Sequence, residues 1–212
     1  MIGEIMTELT LDSTFLAKLA YVYSFAPKRS ISKFLNVVYF NIHDNVVEMV
    51  STDGKTMAFA TCKYEGNSRC YGAFGLPVSI VNEILEAGKN ESSYSLIFDD
   101  EYFEESGKFV VSSGNSVEWD CGNSYYVDYR SILKSLECST NTTDHAFGIN
   151  MDFFAKLNKA YKLAYSHTTV KKNTYTARTS VCMYGDTDIL KVTYTESVLK
   201  DTFVIVKCDS YA

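Results

Sequence analysis

The chain has 212 residues, 46% of them apolar and only 2 of them proline, enough to bury one large core or two ordinary ones. A net charge of −6 argues against a protein that coats nucleic acid non-specifically, and no apolar run approaches the roughly 20 residues needed to cross a bilayer. The charge is uneven: residues 1–145 hold 11 basic and 20 acidic side chains and residues 146–212 hold 9 and 6, which implies two surfaces with different tasks or two domains. The acidic cluster Asp99, Asp100, Glu101, Glu104 and Glu105 reads as a solvated loop.

The first 14 residues carry Glu4, Glu8 and Asp12 and lack the basic start and apolar middle of a secretory signal. The cysteines (Cys62, Cys70, Cys121, Cys138, Cys182, Cys208) form no CxxC pair and stand apart from His43, His145 and His167. Neither a metal nor any other cofactor is expected, and the plain reading is reduced thiols in a cytoplasm, that of a host cell if the protein is viral.

In chain order, Glu8 to Asp12 predicts a short strand, and Asp12 or Ser13 caps a helix running to about Phe25. Phe15, Leu16, Leu19, Val22 and Tyr23 fall in one sector of that helix, with Thr14, Ala17, Lys18, Tyr21 and Ser24 opposite. Pro27 ends it. Strands follow over Phe34–Ile42, Val46–Ser51, Lys55–Cys62 and Arg69–Phe74, with turns at His43-Asp-Asn and Asp53-Gly54. A second helix covers Val78 to Ala87, presenting Asn82, Glu83 and Glu86 outward, before strands at Ser93–Phe98, Lys108–Ser112 and Ser116–Asp120. Residues 121–145 are polar and turn-rich. A third helix, from about Met151 to Tyr165, is capped by Asn150 and followed by strands near Val181–Tyr184, Ile189–Thr195 and Thr202–Cys208.

The chain thus writes one β-α-β-β-β module three times. Each helix has a single apolar stripe and lies on a sheet, and short turns make the neighbours antiparallel: an α+β protein with helices on one face of its sheets. Residues 1–122 form a first domain of two modules, 123–145 a connection, and 146–212 a shortened second domain.

The stretch from Phe34 to Ala58, with Thr52-Asp-Gly at its hairpin, resembles the DNA sliding clamps, most closely the bacterial type. Gly75-Leu-Pro-Val-Ser-Ile-Val-Asn-Glu-Ile-Leu is similar to a clamp's second helix with its preceding strand, and Val111-Ser-Ser-Gly-Asn-Ser to the hairpin near a clamp domain's end. Tyr126-Val-Asp-Tyr-Arg-Ser-Ile-Leu resembles the segment leaving one clamp domain for the next. Phe147 to Leu163 and Thr202 to Lys207 resemble an inner helix and a closing strand, while Val206-Lys-Cys-Asp stands where bacterial clamps carry Met-Pro-x-Arg. The length is nearer to the two-domain clamps of phages and eukaryotes.

The resemblance implies a processivity factor without enzymatic activity, a head-to-tail homo-oligomer (a trimer first, a dimer second) that encircles duplex DNA. It implies a DNA polymerase and a clamp loader as partners. Such a ring meets phosphates with long cationic side chains and reads no bases. Lys156, Lys159 and Lys162 fall together on the third helix, and Lys171 and Lys172 extend the strip; Lys18, Lys28 and Arg29 are further candidates. Partner peptides would enter an apolar cleft lined by Tyr126, Tyr129, Leu133, Phe203 and Ile205. Glu83 and Glu86 would oppose phosphate on the same inner wall. Asp53-Gly54 is read as a turn, and the three histidines as surface or loop residues. Two rival readings are a clamp mimic that binds replication proteins without encircling DNA, and a phage structural protein.

Overall fold

The alternating residues on either side of Asp53-Gly54 fold back on each other, and similar hairpins recur along the chain. The computed structural model describes residues 6–29, 35–66, 71–99, 106–120, 128–137, 147–168, 178–184, 189–195 and 197–210. Its first module is β1 (Met6–Leu11), α1 (Phe15–Tyr23), β2 (Val37–His43), β3 (Val46–Thr52) and β4 (Thr56–Gly66). The second is β5 (Gly72–Pro77), α2 (Val78–Ala87), β6 (Tyr94–Asp99), β7 (Ser106–Val111) and β8 (Ser116–Asp120). An additional helix, α3 (Tyr129–Glu137), precedes the third module of β9 (Phe147–Gly148), α4 (Met151–Ser166), β10 (Thr179–Tyr184), β11 (Ile189–Tyr194) and β12 (Thr202–Lys207). A short β13 (Asp209–Ser210) pairs with β9. No helix among the described residues is long and apolar enough to cross a membrane.

Local chemistry sets the turns. Asp44 and Asn45 both take positive φ between β2 and β3, as a tight two-residue hairpin requires. Gly54 supplies φ +89° between β3 and β4. Asp12 does not cap α1. Its carboxylate accepts from the Thr14 N–H at 2.7 Å and the Lys63 N–H at 2.8 Å, fixing the turn ahead of the helix.

Eleven strands join in one antiparallel sheet, with β4 as its hub. One edge of β4 pairs with β3, from Thr52↔Met57 to Val46↔Lys63. Its other edge takes β12 near the start, at Val206↔Thr56 to Phe203↔Phe59, and β1 at the end, at Leu11↔Tyr64 to Leu9↔Gly66. The third module is thereby bonded directly to the first, and one apolar core runs from Leu9 to Cys208.

The central strands are apolar on both faces. Val38 and Phe40, Val47 and Met49, Ala58 and Ala60, and Val204 and Val206 face the main core. Their alternates Tyr39, Val50, Met57, Phe59, Phe203 and Ile205 form a second cluster on the other side. This double burial accounts for the unbroken apolar run Phe203-Val-Ile-Val.

The expected polar face of α1 does not exist: every residue from Phe15 to Val22 is buried. Helix α4 packs along α1, and α2 meets it at Gly88, where an added Cβ would stand 2.7 Å from Leu16 Cδ1. Tyr21, expected on the solvent side, meets Tyr194 edge-on at 5.3 Å. A wheel drawn for a helix on a sheet does not anticipate a second helix lying on top.

Candidate nucleic-acid interface and docking surface

Helix α4 starts where Asn150 Oδ1 accepts from the Asp152 N–H at 2.9 Å, the expected cap. Phe153, Ala160 and Ala164 are buried, with Leu157 and Tyr161 packed beside them. Asp152, Ala155, Lys159, Lys162 and Ser166 form the exposed row. Phe154 is 43% exposed and stands edge-on to Phe153.

Lys156 leaves the exposed row. Its Nζ lies 2.5 Å from Asp53 Oδ2 and 5.0 Å from the centroid of the Phe25 ring. Asp53 Oδ1 also accepts from the N–H groups of Lys55 at 2.9 Å and Thr56 at 2.7 Å. Burial raises the Asp53 pKa, but Lys156 and these N–H groups outweigh it and leave the carboxyl below its ordinary range. The turn read only as a hairpin therefore also ties α4 to the sheet. A cavity of about 320 Å³ lies beside this pair, lined in part by Lys55, Phe153, Val206 and Lys207.

The other basic candidates divide. Lys28 and Arg29 are exposed just beyond α1. Lys18 is a correction: it is 7% exposed and donates its Nζ–H to the Thr61 carbonyl at 2.7 Å, so it presents nothing to a phosphate. Lys171 and Lys172 lie outside the described residues. Glu83 and Glu86 on α2 are exposed, as expected, and so is Lys89 just beyond its end. Burial lowers the pKa of His167 at the end of α4, opposed by the charge of Glu86 and reinforced by that of Lys89. Glu86 on α2 thus lies within electrostatic reach of the end of α4.

On the opposite face of the sheet, Tyr129, Leu133, Phe203 and Ile205 gather in one cluster; Tyr126 lies outside the described residues. Helix α3 itself covers this part of the sheet. Tyr129 is 1% exposed, and the Phe59 ring lies 5.9 Å from Tyr129 and 4.7 Å from Phe203. Lys191 Nζ sits 4.3 Å from the Phe203 ring centroid.

Glu48, on β3, anchors the start of α3. It accepts from Asn41 Nδ2 at 2.7 Å, from the Tyr129 hydroxyl and from Arg130 Nη2 at 3.1 Å, and His43 Nε2 lies 3.2 Å from its other oxygen. Burial raises the Glu48 pKa, but these donors overcome it and hold it below the usual value. His43 is thus a neighbour of two carboxylates, Glu48 and Asp44, rather than an isolated surface residue.

No protein-family model matches the chain, and no curated protein matches it. Solved structures do. The DNA polymerase III beta subunit of Thermotoga maritima aligns over 97% of this chain with a TM-score of 0.63 at 12% identity. The DNA polymerase sliding clamp of Pseudomonas aeruginosa aligns over 97% with a TM-score of 0.69 at 8% identity. The Helicobacter pylori beta clamp bound to a DNA ligase peptide aligns over 100% with a TM-score of 0.68 at 12% identity.

The chain has the sliding-clamp fold. It covers 66% of the T. maritima protein and 67% of each of the other two, so it spans about two thirds of the clamps it matches. Within this clamp fold, three modules line up α1, α2 and α4 on one side of the sheet and leave α3 on the other. Sequence reasoning missed α3 and the Asp53–Lys156 pair. The helix was legible in Tyr129, Ile132, Leu133 and Leu136, a helical spacing diluted by intervening serines. The ion pair joins residues 103 apart and left no local trace.

Proposed function

We propose that the chain is a DNA sliding clamp, a processivity factor that encircles duplex DNA as a head-to-tail ring and tethers replication proteins in the cytoplasm. The observation that carries this reading is the agreement of the fold with bacterial clamps over 97–100% of the chain. Residues 1–122 act as a full clamp domain and 146–212 as a shortened one. Lys159, Lys162, Lys28 and Arg29 meet phosphates without reading sequence, with Lys171 and Lys172 extending the strip. No residue is assigned a catalytic role.

The edges of the sheet support head-to-tail assembly. Among the described residues β8 pairs only with β7, β10 only with β11 and β5 only with β2, so β8 and β10 at the two ends of the long strand order each have an edge that another copy can extend. Val181 on β10 is 59% exposed. A DNA polymerase and a clamp loader are the partners this reading assigns, and the ligase peptide on the H. pylori clamp supports docking by short peptides.

Retention on DNA tests the reading. The protein should stay on closed circular duplex and run off once the circle is cut, and Lys159→Glu/Lys162→Glu should lose retention while keeping its oligomer mass by light scattering. Equal retention on circles and linear DNA removes the ring. A second reading, a clamp-like regulator that binds replication proteins without DNA, is favoured by the acidic row on α2 and the withdrawal of Lys156. It requires polymerase binding with no retention on circles.

A further inference from the structure

We propose that α3 is a resident ligand of the outer face of the sheet, occupying the seat that a partner's amphipathic helix takes by displacing it. The inference deepens the docking role above and rests on it for the identity of the competitor. Helix α3 has the form of a helix-in-groove ligand. Tyr129, Ile132, Leu133 and Leu136, spaced i, i+3, i+4 and i+7, meet the groove, while Arg130, Ser131, Lys134, Ser135 and Glu137 are exposed. The seat is an apolar floor of Tyr39, Val50, Met57, Phe59, Phe203 and Ile205, with a single acidic end at Glu48.

That end specifies the occupant. Glu48 receives both the Tyr129 hydroxyl and the Arg130 guanidinium, so the groove selects an aromatic residue followed directly by a basic one, with aliphatic residues three, four and seven positions on. The contact is also lighter than that of α1. Only Tyr129 and Leu136 of α3 are fully buried, against eight residues of α1, and the cluster beneath α3 is distinct from the main core. A segment tethered on the same chain competes at an effective concentration of ~mM, which keeps weak peptides out and admits strong or multivalent ones.

A fluorescent peptide of residues 126–137, titrated into the full chain and into Leu136→Asp, tests this. The variant should bind it at least ~10-fold more tightly than the parent, because the tethered competitor is weakened. A peptide carrying Arg130→Glu should bind ~10-fold less tightly. Equal binding by parent and variant, or no binding by a variant that keeps its circular dichroism, overturns the proposal. Should the variant not fold, hydrogen exchange on the parent decides. Saturating peptide should speed exchange of the α3 amides and leave β3 and β4 slow; unchanged α3 exchange overturns it. None of these readouts involves DNA, so a failure here leaves the ring intact, and a ring that fails on DNA leaves the peptide result standing.

Discussion

The two faces of the central sheet are covered in different ways. On one face α1 lies between the sheet and α4, with eight buried residues and aromatic contacts such as Phe15 to Phe109 at 6.1 Å. On the opposite face α3 buries two side chains and is pinned at one end by Glu48. Both helices are nine residues long. Their difference teaches that the firmness of a covered surface follows how many sides of the helix are packed, not the strength of its apolar stripe.

Substitution at the centre of each face should break or sharpen that contrast. Phe15→Ala on α1 should cost about 3–5 kcal/mol in urea unfolding, since the cavity has rigid walls on every side. A cost under ~1 kcal/mol would place α1 nearer the surface than described here. Leu136→Ala on α3 should cost less than about 2 kcal/mol globally, because local undocking limits the loss. A cost equal to that of Phe15→Ala would make the two faces one cooperative unit.

Asp53→Asn should cost about 1 kcal/mol, the pair being half-buried. It also frees Lys156, and on the clamp reading the slope of log K against log salt for duplex binding should steepen by about 0.9. An unchanged slope would mean that Lys156 points away from DNA even when released.

The smallest effect expected is with acid. Asp53 and Glu48 both have depressed folded pKa values, so their contributions are present above the ordinary carboxylate range near ~4 and fade as pH falls through the lower folded values. Between pH 7 and pH 3 the parent should lose stability more steeply than an Asp53→Asn/Glu48→Gln double variant, measured by urea midpoints at each pH. Parallel curves would show that neither carboxylate carries linkage.

Much of this was readable before any coordinates. The three modules, the turns at Asp44-Asn45 and Gly54, the Asn150 cap and the outward acids of α2 are all local: each depends on residues within one turn or one hairpin. The resemblance around Thr52-Asp-Gly carried the fold as well. Of the basic candidates, Lys159, Lys162, Lys28 and Arg29 stand exposed, whereas Lys18 is buried and Lys156 is paired with Asp53. Each had an exposed position on its own wheel, and each found an acceptor on β4 or beside it.

By itself, the sequence determined the periods, the stops and the repetition, because backbone propensities and apolar spacing act over a few residues. Which helix would be sandwiched, which lysine would be neutralised and which apolar face would be filled from within were decided by tertiary structure. Those outcomes depend on β12 docking against β4 and α4 lying along α1, contacts between segments that no local pattern links.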